Sequence, residues 1–199
     1  NMNDLIQIIK ILEPSELEDL NKYINTLKFE RNKILRDGST VVNNDSRTSS
    51  GTSLLETHQL TINFHKKINL GLNEYKRRVQ NIHSNFSLYP VPGGHYTKSW
   101  REDIQILQYE KSQEYKFHHD AATYEHQKEY HRKISVIVYL NDGFKGGGTS
   151  FVHKTYKPQP GYALIFPSNW CYPHAGQVVE EGRKRVAVTW YYVDQTQPT

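Results

Sequence analysis

The sequence predicts an α+β fold in which helices come first and a run of short strands follows. Three observations carry that prediction. Two segments of the first hundred residues repeat apolar side chains at helical spacing. From Asp103 onward the texture changes to short β-branched, apolar runs punctuated by Gly and Pro. No repeat, low-complexity tract or domain boundary interrupts the 199 residues, which suit one domain over 1–199 with a helical part at about 1–100 and a β core at about 101–194.

The elements follow in order. Residues 5–12 are apolar with an ambiguous period, so strand and helix both fit. After Pro14, Ser15-Glu16-Leu17-Glu18 has the form of a capping box. Leu17, Leu20, Ile24 and Leu27 then recur at helical spacing and predict a helix over 15–29. Residues 37–53, rich in Ser, Thr, Asn and Gly, suit a loop with short extended pieces. Phe64, Ile68, Leu72, Tyr75, Val79 and Ile82 make one apolar helical face, which Gly71 weakens slightly. Pro90, Pro92, Gly93 and Gly94 mark 88–100 as loop.

In the second half, Ile104, Ile106, Leu107 and Tyr109 suggest a strand. KISVIVYLN over 133–141 is the strongest β signal, ending at Asn141-Asp142-Gly143. Residues 149–152, 161–166 and 184–193 give further strands. The polar segment 121–131, with Tyr124, His126 and Tyr130, suits a mobile loop.

Bulk properties narrow the setting. Fourteen Tyr and seven Phe supply core material, so the composition is not that of a disordered chain. The net charge of +4 and pI of about 9.0 are mildly basic, without a compact basic block that would mark a nucleic-acid site. Cys171 is the only cysteine, which excludes an intrachain disulfide and suits a reducing compartment. Residues 5–12 are broken by Gln7 and Lys10 and lack a basic lead, and no run approaches a membrane span. The expectation is a soluble, cytoplasmic protein.

The chemistry lies in a few residues. Side chains alternate along an extended chain, so His118 and Asp120 point the same way and His119 the other. A third donor must come from elsewhere, and His174 in Tyr172-Pro173-His174-Ala175-Gly176 is the candidate. Two His and one carboxylate are the facial triad of non-haem Fe(II), which leaves positions open for reactants. Lys184 lies ten residues further on, and alternation makes it the inward residue of Arg183-Lys184-Arg185. A buried lysine there suits the far carboxylate of a 2-oxo acid. His58, His65, His83 and His95 lie outside the β-like region and are read as surface or core histidines. A lone Cys with an H-x-D pair does not suit a closed structural zinc site.

Longer motifs give these residues a context. The segment 109–120, ending Tyr115-Lys116-Phe117-His118-His119-Asp120, resembles the first metal motif of the prolyl 4-hydroxylases, which are 2-oxoglutarate/Fe(II)-dependent dioxygenases. Arg47-Thr48-Ser49-Ser50-Gly51 resembles their R-T-S-x-G, and Arg132 begins the strand ending Tyr139-Leu140. Gly146-Gly147-Gly148-Thr149-Ser150-Phe151 resembles G-G-E-T-x-F, and Gly161-Tyr162-Ala163-Leu164-Ile165-Phe166 resembles G-x-A-L-x-F. His174-Ala175-Gly176, Gly182, Lys184 and Trp190 resemble H-A-G, G-x-K and W. The resemblance runs from about residue 8 to 193. Gly148, Val152, Gln177-Val178 and Tyr192 depart from the family pattern, and none of them touches the triad or Lys184.

That resemblance implies a double-stranded β-helix (jelly-roll) core with the metal site at its mouth and N-terminal helices supporting one sheet. It implies Fe(II) on His118, Asp120 and His174. 2-Oxoglutarate would chelate the metal and pair with Lys184, with Tyr109 hydrogen-bonded to it and Thr149 lining the same pocket. O2 is the second co-substrate and ascorbate the candidate reductant. Tyr115, Arg132 and Trp190 match positions lining a groove for a proline-containing peptide, and the reaction would be 4-hydroxylation of a peptidyl proline. Two alternatives remain. One is another substrate of the same superfamily, such as nucleic acid, against which Trp190 argues because it replaces the final Arg of that pattern. The other is a non-catalytic peptide-binding module.

Overall fold

The run at 133–141 is mostly apolar because the middle of its strand is buried on both faces. The computed structural model describes residues 1–31, 34–36, 39–41, 47–85 and 101–192, with backbone alone at 34–36 and 39–41. Strand β1 (Gln7–Lys10) precedes helix α1 (Pro14–Ile24). Strands β2 (Glu30–Arg31), β3 (Ile34–Arg36), β4 (Ser39–Val41) and β5 (Ser50–Ser53) lead to helix α2 (Gln59–Ile82). Strands β6 (Gln105–Tyr109), β7 (Tyr115–His118), β8 (Arg132–Tyr139), β9 (Phe144–Gly146) and β10 (Thr149–Phe151) follow. The series closes with β11 (Thr155–Tyr156), β12 (Tyr162–Pro167), β13 (His174–Gly176), β14 (Val179–Gly182) and β15 (Lys184–Tyr192). Among the described residues no helix is long and apolar enough to cross a membrane.

Seven strands form an antiparallel main sheet in the order β1-β12-β8-β15-β6-β5-β2, and four form a second sheet, β11-β10-β13-β7. The pairs β9/β14 and β3/β4 complete the described strands. This is the expected α+β fold with a jelly-roll core. One difference concerns the first hundred residues, which were read as the helical part. They also supply β1 at one edge of the main sheet and β2 and β5 at the other.

Alternation divides the main sheet between two cores. Ile134, Val136 and Val138 of β8, with Ile106 of β6 and Ala187 and Tyr191 of β15, pack beneath the helices. There they meet Leu20 and Ile24 of α1 and Phe64, Ile68, Leu72, Tyr75 and Val79 of α2. Tyr139, Leu107, Tyr109, Val186 and Val188 face the other way, toward Phe151 and Tyr156 of the second sheet. The inner face of the main sheet therefore looks into the jelly roll, and the outer face rests on the helices. Arg185 obeys the same alternation: it faces the helical side, where it is buried on Gln108, Asn21 and Asn25.

The helix ends correct the sequence reading. Helix α1 stops at Ile24 rather than Phe29. Beyond it, Thr26 N and Leu27 N donate three residues back, to the Tyr23 and Ile24 carbonyls, and the backbone tightens out of the α-helix. Residues 5–12 include a strand because Gln7, Ile8, Ile9 and Lys10 pair with Ile165, Leu164, Ala163 and Tyr162. The loop read over 88–100, and His95 within it, lie outside the described residues. His65 is a buried core residue whose imidazole burial pushes down to about 3. His58 caps α2 through Nδ1, which accepts from Leu60 N at 3.1 Å.

Gly182 closes the turn from β14 into β15 at φ +78°, and a Cβ there would collide with the Gly143 carbonyl oxygen. A Cβ on Gly143 would meet nothing within 4 Å. Gly182→Ala is expected to cost about 1–3 kcal/mol from the left-handed backbone alone. Gly143→Ala is expected to stay within about 0.5 kcal/mol of wild type. Urea denaturation of the two variants checks the contrast, and equal stabilities would refute it.

Candidate active site

Three donors meet between the sheets. Strand β7 ends at His118, and Asp120 lies just past it, where its N–H donates to the Ser168 carbonyl at 3.2 Å. Strand β13 begins at His174, paired directly with His118. His118 Nε2 is 3.3 Å and His174 Nε2 3.5 Å from Asp120 Oδ1, and one atom from each residue lies within 4.8 Å of the others. No other group of this kind occurs among the described residues. His119 is exposed, as alternation predicts.

The rings are set for coordination. His118 Nδ1 donates to the Lys116 carbonyl at 2.8 Å, and His174 Nδ1 to the Tyr172 carbonyl at 3.1 Å. A carbonyl only accepts, so each Nδ1 carries the proton and each Nε2 lone pair points into the site. Burial pushes the His174 imidazole down to about 4, which keeps it neutral and able to ligate. Burial works against the Asp120 charge, but the His174 and His118 rings and the hydrogen bonds from His118 and Ser135 hold the carboxyl well below its usual range. A neutral–neutral–anionic donor set of this shape fits Fe(II).

The second oxygen of Asp120 is held from behind. Oδ2 accepts from Ser135 Oγ at 2.6 Å and from Trp190 Nε1 at 2.9 Å. Ser135 Oγ also shares a 2.8 Å hydrogen bond with Ser168 Oγ. Arg132 lies 3.6 Å over the Trp190 ring, donates to the Asp120 carbonyl at 3.3 Å, and forks onto Glu102 at 2.5 and 2.9 Å.

Deeper in the jelly roll, Lys184 pairs across the sheet with Tyr109. Its side chain is buried at 3 % exposure, its Nζ 4.8 Å from the Tyr109 ring centroid and 5.2 Å from that of Tyr139. It makes no hydrogen bond or ion pair with any described residue. Burial, with some repulsion from Lys157, pushes the ammonium down to about 7. Thr149 Oγ1 and Tyr139 OH share a 2.7 Å hydrogen bond beside it. Burial raises both the Tyr109 and Tyr139 phenols, so both remain protonated. A buried cation facing neutral hydroxyls in place of a carboxylate lacks an anion, and the far carboxylate of 2-oxoglutarate is of the right charge to supply it.

On the other side of the triad, Tyr115 stacks on His118 with ring centroids 3.7 Å apart, and Arg47 lies 4.7 Å over Tyr115. Arg47 also donates to Ser49 Oγ at 3.2 Å. The structure thus brings Tyr115, Arg132 and Trp190 to the triad, each already engaged with a neighbour.

Comparison with known proteins agrees with this geometry. The family model of the 2OG-Fe(II) oxygenase superfamily matches residues 104–192, which hold the triad and Lys184. Over that stretch, somewhat under half of its length, the chain is similar to that superfamily. A putative prolyl 4-hydroxylase of Acanthamoeba polyphaga mimivirus is 35 % identical over 107 residues, covering 45 % of this chain and 44 % of the relative. Probable prolyl 4-hydroxylase 4 of Arabidopsis thaliana is 29 % identical, covering 78 % and 59 %. The chain spans about half the length of these curated relatives. Two solved structures share the fold. The viral collagen prolyl hydroxylase of Paramecium Bursaria Chlorella virus-1, in its 2OG complex, matches with a TM-score of 0.62 and 19 % identity over 95 % of this chain and 96 % of that one. A prolyl hydroxylase of Trichoplax adhaerens, in complex with a hypoxia inducible factor peptide, matches with a TM-score of 0.65 and 19 % identity over 96 % and 84 %.

Several residues of this site were not assigned from sequence. Ser135 had one visible signal, a hydroxyl on an otherwise apolar strand. Ser168 and Glu102 had none, because their partners are set by strand register. Arg47 was visible in a motif, but its stacking on Tyr115 was not.

Lys184 yields a two-part prediction. Without 2-oxoglutarate its folded value of about 7 lies below the 10.5 of a free lysine, so the unfolded chain holds the extra proton between those values. The Lys184 penalty is therefore full below pH 7 and is relieved as pH rises toward 10.5. Lys184→Met is expected to raise the ligand-free Tm at pH 7 by about 2–8 °C, or roughly 1–2 kcal/mol. It should also abolish the 2-oxoglutarate-induced Tm shift. At pH 8, wild-type binding of 2-oxoglutarate should take up a proton, detected by calorimetry in buffers of different ionisation enthalpy. A destabilised Lys184→Met protein, or binding without proton uptake, would contradict this account.

Proposed function

We propose that this chain is a 2-oxoglutarate- and Fe(II)-dependent dioxygenase that hydroxylates a peptidyl proline to 4-hydroxyproline. The observation that carries the reading is the pairing of one His-Asp-His triad with one buried lysine that has no anion beside it among the described residues, inside the same jelly roll. In the overall reaction one oxygen atom of O2 enters the substrate C–H bond and the other enters succinate, as 2-oxoglutarate loses CO2.

The residues divide the work. His118, Asp120 and His174 would hold the metal, which when bound supplies the activation of O2. Lys184 neutralises the far carboxylate, and with Fe(II), one Asp and the dianionic co-substrate the buried charges sum to zero. Tyr109 and Thr149 offer hydroxyls to the same pocket. The aromatic walls of the jelly roll, Phe151 and Phe166, lie 5.6 and 4.9 Å from the His174 ring and exclude water from that side. Tyr115, Arg132 and Trp190 would meet the peptide beside His118. An aromatic-lined surface suits an extended polyproline II segment, and residues 121–131 would close over it. The named activities of the relatives support proline over other residues. A cytoplasmic location, and ascorbate as reductant, belong to the same reading.

The test is anaerobic loading with Fe(II), then succinate formation with and without proline-rich peptides. Peptide-stimulated succinate, with one oxygen atom added to proline, is the expected result. His174→Ala is expected to lower turnover by at least about 100-fold through loss of the metal. Succinate formation that no peptide stimulates would remove the prolyl reading and leave an oxygenase of another substrate. Iron binding without any turnover would favour a binding module.

A further inference from the structure

We propose that Ser135, backed by Ser168, and Trp190 are positioning residues that reserve the outer oxygen of Asp120 and confine its carboxylate to a one-oxygen bond with the metal. The inference rests on the oxygenase reading but not on the prolyl substrate.

The argument begins with counting. A facial triad binding through three atoms leaves three positions on a six-coordinate metal. On the oxygenase reading a 2-oxo acid would need two of these and O2 the third. A carboxylate that turned to bind through both oxygens would occupy one of them, so Asp120 must be prevented from doing so. Its Oδ1 faces His118 and His174, and its Oδ2 receives two short hydrogen bonds on the opposite side. Those donors are cross-strand partners, since Trp190 of β15 lies opposite Ser135 of β8. Sheet register therefore delivers a hydroxyl and an indole N–H side by side, in the position to hold one oxygen.

The clamp is itself fixed. Ser168 Oγ meets Ser135 Oγ, and the Ser168 carbonyl accepts from both Asp120 N and Ala121 N, at 3.2 and 3.1 Å. Ser168 N donates to the Lys133 carbonyl at 3.0 Å. Six residues later the same segment delivers His174. Between them Asn169 ties the turn, its carbonyl accepting from Tyr172 N at 3.0 Å and its Oδ1 from Cys171 N at 3.0 Å. The segment 168–174 is thus a pinned link between the backing of one ligand and the position of another. On the other side, the Arg132 guanidinium covers the Trp190 ring and fixes its tilt.

The test uses Co(II) under anaerobic conditions, with no peptide or turnover. Ser135→Ala and Trp190→Phe should each weaken Co(II) binding about tenfold or more. Their visible d–d absorption should change in wavelength and intensity as the freed oxygen displaces a metal-bound water. Ser135→Thr, which keeps the hydroxyl, should restore both readouts, and Ser150→Ala, a hydroxyl outside the clamp, should match wild type. Trp190→Phe keeps a ring under Arg132, so it carries the test alone if Ser135→Ala fails to fold. Folded variants with unchanged circular dichroism that bind Co(II) within about twofold of wild type, with its spectrum, would overturn the proposal. Clamp-dependent Co(II) binding in a protein that hydroxylates no proline would support the clamp while removing the prolyl reading.

Discussion

Everything at this site depends on keeping one charged carboxylate buried. The Asp120 side chain is 7 % exposed, and a carboxylate in that position would take up a proton unless the surroundings hold its charge. Two imidazoles approach one oxygen and two neutral donors approach the other. The anion is thereby balanced without a fixed lysine or arginine on it, which leaves its charge available to a cation in the site. Arg132, the nearest guanidinium, reaches only the Asp120 main-chain carbonyl and spends its charge on Glu102.

The fold supplies this arrangement through register. Two sheets place their inner faces together, and each functional side chain sits on an inward position of a strand or at its end. Lys184, Val186, Val188 and Trp190 share one face of β15, while Arg185 and Ala187 face the helices. A slip by one residue would exchange these sets, sending Lys184 and Trp190 into the helical core. The apolar packing of α2 under β8 and β15 therefore fixes the site indirectly, because it makes the alternative register costly.

That dependence explains what the sequence could reveal. The triad was legible because His118 and Asp120 are two apart, and because His174 stood in a motif together with Lys184. Lys184 was separable from Arg183 and Arg185 by alternation alone. The second helix was legible from its apolar face, whereas the end of α1 was not, since Leu27 continued the period past the point where the backbone tightened. The clamp on Asp120 was not legible. Ser135, Ser168 and Trp190 come from three strands or strand ends, and only pairing brings Ser135 and Trp190 to one carboxylate oxygen and Ser168 to Ser135.

The two poles of the site are prepared differently. At the metal pole, every donor is already oriented: both imidazole tautomers are fixed by carbonyls, and both carboxylate oxygens are engaged or aimed. At the far pole, Lys184 is buried with no anion beside it among the described residues, and burial pushes its ammonium down. Orientation at one end and unmet charge at the other favour a ligand that can satisfy both at once. A monocarboxylic 2-oxo acid would reach the metal and leave the lysine unpaired, and a simple dicarboxylate would pair the lysine without the 2-oxo chelate. A 2-oxo dicarboxylate, the co-substrate proposed above, has one group for each pole: the chelating end for the pre-oriented triad and the far carboxylate for the buried lysine.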